Sequence, residues 1–206
     1  MNHNYIFGFI ATFGTLAANI PYVIGLFCGS VRPHFFSWLI WGFTTGIAFS
    51  AQLASHAGAG AWATGAGTFA AFAIALLALL RGEKNITLGD KLSFMAALVA
   101  VILWLILRNP LYSVILVTAI DAIGYYPTMR KSHNDPYHES ATTFSIMAFC
   151  NFCTILALEN NAPVNWLYPL GMTFCNASLV ILILLRRQTL HKAILRKGAG
   201  RNRTGA

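Results

Sequence analysis

The stretch from Tyr5 to Arg81 is replayed, feature by feature, between Pro110 and Arg186. Thr68, Phe69 and Arg81 recur as Thr173, Phe174 and Arg186 at an offset of 105, and Trp62 recurs as Trp166 at 104. Pro21 recurs as Pro127 at 106 and Pro33 as Pro136 at 103. Offsets that drift so little imply a duplicated unit. Each copy holds three long apolar segments, and a spare one sits between the copies, so the plan is three plus one plus three. With one segment between them, both copies cross a membrane in the same direction. They are parallel repeats related by an axis along the membrane normal.

Composition says what solvent the repeat is built for. The chain is 57% hydrophobic and 10% charged, against about 25% charged in soluble domains. Segments that span about 30 Å of hydrocarbon at 1.5 Å per residue are expected near 5–27, 35–54, 60–80, 92–107, 111–128, 141–158 and 164–185. A membrane β-barrel would need alternating strands, and Ala70 to Leu80 does not alternate. The expected fold class is therefore an all-α integral membrane protein of seven transmembrane helices. Its parts are a first three-helix repeat (1–81), a linker helix (82–109), a second repeat (110–187) and a basic cytoplasmic tail (188–206). The linker helix reads as short, and its Trp104 as an interfacial anchor.

Met1 to Tyr5 carries no Lys or Arg, so the first segment reads as a mature helix and not a secretory signal. Cys28, Cys150, Cys153 and Cys175 lie in or beside apolar spans, which indicates no disulfide framework. Cys150 and Cys153 are one turn apart without a His or carboxylate on that turn, so they read as small packing residues. No metal or cofactor is expected.

The net charge of +8 invites a nucleic-acid partner, but its distribution points to topology. With seven spans, every Lys and Arg except Arg108 falls on the side of the C-terminal tail. The positive-inside rule then puts the N-terminus outside and the tail in the cytoplasm of the cell (inner) membrane. The tail loses its apolar run after Leu195 and is expected to be mobile near lipid headgroups.

Asn109-Pro110 and Asp135-Pro136 each offer a capping side chain followed by a ring preset for a first helical turn, and Pro33 is expected to do the same for the second helix. Pro21 and Pro127 differ, because each lies inside a first-in-triplet helix. Each frees the carbonyl four residues back, Ala17 and Ile123, and a kink there suits a hinge.

The 3+1+3 plan, the outside N-terminus, the prolines in the first and fifth helices and a cytoplasmic loop leading to a further proline together resemble the SWEET and PQ-loop transporter superfamily, to about residue 187. Where those proteins carry the Pro-Gln that names them, this chain has Pro21-Tyr22 and Pro127-Thr128. A closer resemblance is to uncharacterised bacterial seven-helix proteins with an Arg/Lys-Pro-His, Ser-Trp, Ile-Trp-Gly segment. Here it reads Arg32-Pro33-His34, Ser37-Trp38 and Ile40-Trp41-Gly42. The resemblance implies a SWEET-like fold that carries a small solute. In sugar-carrying members polar residues on the third and seventh helices face the solute; Asn176 is similar to the asparagine of the seventh, and its counterpart on the third is Ala71.

Asp121 is the most telling side chain, about 16 Å into the membrane from Pro110 at 1.5 Å per residue. A carboxylate at that depth needs a partner or water, which makes it a site candidate and a candidate for proton exchange. Asn176 and Asn151 lie at similar depth, and Asn19 sits two residues before Pro21. Trp41, with Trp38 one turn away, could stack on a solute, although its expected place is the headgroup belt. Glu159 and Gln52 are expected at outer ends in water, and His133, Asp135, His138 and Glu139 in a solvated loop.

No Ser-His-Asp set, nucleotide-binding glycine loop or zinc-hydrolase motif occurs, so the chain does not read as an enzyme. The leading expectation is a small-solute transporter for a sugar, a vitamin or an amino-acid-like solute. It would work by alternating access at a midplane site between two bundles, with proton coupling through Asp121. The alternative is a membrane receptor or sensor on the same fold, which would bind without transport. One chain holds both triplets, so a monomer could suffice and a homo-oligomer is not required.

Overall fold

The computed structural model describes residues 3–83, 86–107 and 109–203. Lys84 and Arg108 lie outside the described residues, as do the side chains of Trp104 and of the tail beyond Lys192. Among the described residues the chain is all-helical. Its α-helices are α1 (His3–Phe27), α2 (Phe35–Ala54), α3 (Trp62–Arg81), α4 (Leu88–Leu107), α5 (Pro110–Asn134), α6 (Ala141–Leu156) and α7 (Pro163–Arg203). Short 3-10 turns at Gly58–Ala61 and Pro136–His138 precede α3 and α6.

Three helical stretches, His3–Phe27, Gly58–Arg81 and Pro163–Lys192, are long and apolar enough to cross a membrane. Polarity is distributed for an apolar solvent. Phe69 and Leu80 are 74% and 75% exposed, while Thr44, Asp121, Thr128, Thr143 and Asn176 are buried.

Both triplets have the same internal order. α3 packs on α1 and on α2, and α7 packs on α5 and on α6; α1 then meets α6, and α2 meets α5, across the middle. α4 lies outside, against α5 and α2. One pair of hydrogen bonds repeats as well. Arg81 of α3 donates from Nη1 to the Phe27 carbonyl at 3.1 Å, and Arg186 of α7 donates from Nε to the His133 carbonyl at 2.8 Å. Each arginine thus satisfies a carbonyl in the last turn of its own triplet's first helix, where backbone acceptors lack partners and a cation is favoured.

Several boundaries differ from the sequence expectation. α4 is 20 residues long, equal to α2 and α3, because the helix begins with the Leu88-Gly89-Asp90-Lys91 turn, four residues ahead of the apolar run that starts at Leu92. α5 continues past Pro127 to Asn134, since a proline removes one hydrogen bond without forbidding the next turn. α7 runs through the basic tail to Arg203, built there largely from good helix formers such as Leu, Ala, Lys and Arg. Asn109 caps α5 as its sequence suggests, accepting from Leu111 and Tyr112 at 3.0 and 3.3 Å. Pro33, however, precedes the His34 cap of α2, and Pro136 opens the 3-10 turn, not α6. The cap of α6 is Ser140, whose hydroxyl accepts from the Thr143 amide at 3.2 Å.

Candidate functional site

Asp121 is 1% exposed, halfway along α5. Its Oδ2 accepts a hydrogen bond from the Tyr168 phenol of α7 at 2.6 Å, and its Oδ1 accepts one from the Thr44 hydroxyl of α2. The carboxyl therefore joins the two triplets. Two neutral hydroxyls hold it, and among the described residues no Lys, Arg or His forms an ion pair with it.

Beside it lies a cavity of about 80 Å³ between the triplets, to which every α-helix except α4 contributes. Ten of its seventeen lining residues fall into pairs separated by 103 to 106 positions. Thr15 faces it with Asp121, Trp41 with Phe144, Ala63 with Tyr168, Gly67 with Met172 and Ala71 with Asn176. The third helix of each copy shows how the copies diverged: α3 offers Ala, Gly and Ala where α7 offers Tyr, Met and Asn. A Cβ added at Gly67 would meet only Thr15 Cγ2, at 3.9 Å. At these three positions α3 supplies room and α7 side chains, while Thr15, Trp38, Trp41, Thr45 and Thr64 add hydroxyls and indoles from α1, α2 and α3.

Of the residues singled out from sequence, Asp121, Asn176, Asn151 and Trp41 line this cavity together, and Asn19 does not. Asn176 and Asn151 donate through Nδ2 to carbonyls one turn back, Met172 at 2.7 Å and Met147 at 2.9 Å. Asn19 does the same to Thr15 at 2.7 Å. The Oδ1 of buried Asn176 has no hydrogen-bond partner.

Trp38 and Trp41 do not form a headgroup belt. They are 3% and 6% exposed, and they continue a layer of rings across the interior. Tyr22 lies 5.1 Å from Trp38, Trp38 5.1 Å from Trp41, and Trp41 4.7 Å from Tyr125, centroid to centroid. The Trp38 indole donates to the Tyr22 hydroxyl at 3.2 Å. A ring layer in a protein core needs partners for its polar tips; the Trp38 indole finds one within its own triplet, whereas the buried Trp41 Nε1 has none among the described residues. Pro21 and Pro127 sit beside this layer, one residue from Tyr22 and two from Tyr125. Both are inside helices that continue past them.

Polar clasps join the triplets at each end. At the basic end the Lys131 ammonium meets Glu139 at 2.8 Å and donates to the carbonyls of His138 and of Arg32. Thr128 donates to Ser37 at 2.9 Å nearby. Glu139, expected in a solvated loop, is buried, because Lys131 extends from the lengthened α5 to neutralise it. His138 instead contacts exposed Asp135 at 2.6 Å, and among the described residues no grouping of His, Cys and carboxylates suits a metal. At the other end Gln52, expected in water, is 1% exposed. It donates to the Asn165 carbonyl at 3.2 Å, while Ser55 bonds the Asn165 side chain. Asn4 closes the same end by donating to the Leu158 carbonyl at 3.2 Å. Glu159 is exposed, as expected.

Sequence reasoning missed Tyr168 and Thr44, the two residues that hold Asp121. A buried carboxylate implies hydroxyl or cationic partners, but nothing in the order of residues says which neighbouring helix provides them. Comparison with protein-family models, curated proteins and solved structures finds no match to this chain.

Proposed function

We propose that the chain is a small-solute membrane transporter with a SWEET-like plan, seven crossings in a parallel 3+1+3 repeat. Its N-terminus would lie outside and its tail in the cytoplasm, in the inner membrane of a bacterial cell. The observation that carries this reading is the cavity beside Asp121, lying between two like triplets that are clasped separately at each end. Two independent clasps around one site are what alternating access needs: releasing either one exposes the site to one side only. The basic-end clasp, the ring layer, Pro21 and Pro127 lie together, so bending of α1 and α5 at those prolines opens that end. The Gln52, Ser55 and Asn165 bonds part when the other end opens. Asp121 contacts both triplets and therefore changes partners in either movement, which makes it the group to couple transport to protons.

The test is solute counterflow in sealed proteoliposomes containing the purified chain. Counterflow that is lost on cross-linking the triplets at either end supports the reading. Saturable binding without counterflow replaces it with the receptor alternative. Coupling is tested separately: Asp121→Asn transport that keeps the parent's pH dependence removes the proton from the mechanism.

A further inference from the structure

We infer that the solute is a compact protonated amine, held by Asp121 against the aromatic wall of the cavity. The inference rests on the reading of this cavity as a solute site and adds its chemical class.

Charge comes first. Among the described residues Asp121 is the acidic group of the lining, and no Lys, Arg or His lines the cavity with it. An ionised carboxylate buried without a cation is costly, whereas the same carboxylate opposite an ammonium is compensated. An anionic solute would worsen the imbalance, and a neutral one would leave it standing. Hydrogen-bond capacity points the same way. A carboxylate offers about four acceptor positions, and here Tyr168 and Thr44 use one on each oxygen. The Asn176 Oδ1 adds an acceptor with no partner, 3% exposed at the residue level. Against these acceptors the lining residues hold one buried donor without a partner among the described residues, the Trp41 Nε1, so the balance of free positions still favours a ligand that donates. Ammonium N–H groups do so.

The walls suit a cation too. Trp41, Tyr125 and Phe144 line the cavity, and aromatic rings attract an ammonium through their quadrupoles, most strongly where water is excluded. Size limits the rest of the molecule. A cavity of about 80 Å³ has room for about six waters at 10–15 Å³ each, hence for an amine of a few heavy atoms. The space over Gly67 and Ala71 on α3 takes its non-polar part.

The experiment measures thermal stabilisation of the full chain in detergent by methylamine, ethylamine and ethanolamine. Each is matched with its neutral analogue, methanol, ethanol or ethylene glycol, and glycolate serves as the anion. At least one amine is expected to raise Tm saturably, with an apparent Kd about tenfold or more below that of its neutral analogue. Asp121→Asn is expected to remove that preference. Should Asp121→Asn not fold, Gly67→Met decides instead: it fills the cavity with the side chain that α7 carries at the equivalent position, leaves the carboxyl in place, and is expected to abolish amine binding. The inference is overturned if no amine stabilises the protein, if a neutral analogue does so equally, or if amine binding survives either variant. These outcomes are separable from failure of the transport reading. Amine that binds but does not exchange across sealed vesicles overturns transport alone, whereas exchange of neutral or anionic solutes without amine binding overturns the solute class alone.

Discussion

Lys131→Met tests whether the basic-end clasp holds the triplets together. The Lys131 ammonium has a side-chain exposure of 3%, and its partner Glu139 is at 0%, so the pair at 2.8 Å has little water to screen it. Methionine keeps much of the volume and removes every donor. Breaking a buried pair by deleting one partner costs about 3–5 kcal/mol, because the remaining charge is left uncompensated. The carbonyls of His138 and Arg32 lose the Lys131 donor as well, at about 1 kcal/mol for Arg32 and less for His138, whose carbonyl keeps the Arg32 amide at 3.3 Å. The Ser140 amide still donates to Glu139 at 3.3 Å, which offsets part of this. The expected loss is about 4–6 kcal/mol. Glu139→Gln keeps an oxygen for Lys131 and should cost clearly less. In the double variant the orphan charge disappears, so its loss should fall short of the summed single losses by about 1–3 kcal/mol. Unfolding in mixed micelles on titration with denaturing detergent, followed by tryptophan fluorescence, gives all three values, and repeating it in a nonionic denaturant at low and high salt checks that the pair is unscreened. A Lys131→Met loss below about 1 kcal/mol, or strict additivity in the double variant, would refute the reasoning.

Arg81→Gln and Arg186→Gln should behave alike. Each removes one arginine bond to a carbonyl in the last turn of its triplet's first helix, costing about 0.5–1 kcal/mol at these wet sites and adding within about 0.5 kcal/mol; unequal or strongly coupled losses would undo the equivalence of the triplets. Tyr168→Phe should destabilise by about 1–3 kcal/mol in the same assay, since Asp121 then keeps only the Thr44 donor. Gly8→Val should cost about 1–3 kcal/mol, because a Cβ there would sit 2.9 Å from the Ala59 Cβ and 3.0 Å from its carbonyl oxygen. Gly67→Ala, by contrast, should be neutral or stabilising by up to about 1 kcal/mol through helix propensity, with space around its Cβ. Thermal melts of the two glycine variants side by side check the contrast.

Local chemistry was readable where one residue's neighbours in sequence are also its neighbours in space. Asn109 followed by Pro110 caps α5, and the α2 span of 35–54 matches its helix, since caps and apolar runs act within a turn or two. The same logic failed at Pro33 and Pro136, where a proline that suits a first helical turn equally suits the turn before it. A shared level was readable for Asp121, Asn151 and Asn176, which line one cavity, because 1.5 Å per residue is a ruler along a helix. Depth gives no azimuth. Asn19 therefore grouped with them on paper and stands outside the cavity, and Trp38 and Trp41, placed at the headgroups by their distance from a helix end, turn inward.

That the chain is helical and largely apolar could be read from its residues alone, because period and composition are properties of their order. Tertiary structure alone decided which faces meet. It brought Thr44 and Tyr168 to Asp121, set the α3 residues Ala63, Gly67 and Ala71 opposite Tyr168, Met172 and Asn176, and buried Lys131 with Glu139 and Gln52 with Asn165. Helix rotation is set by the sum of many packing contacts across the chain, none of which is visible in a local window. The site exists only where those rotations converge.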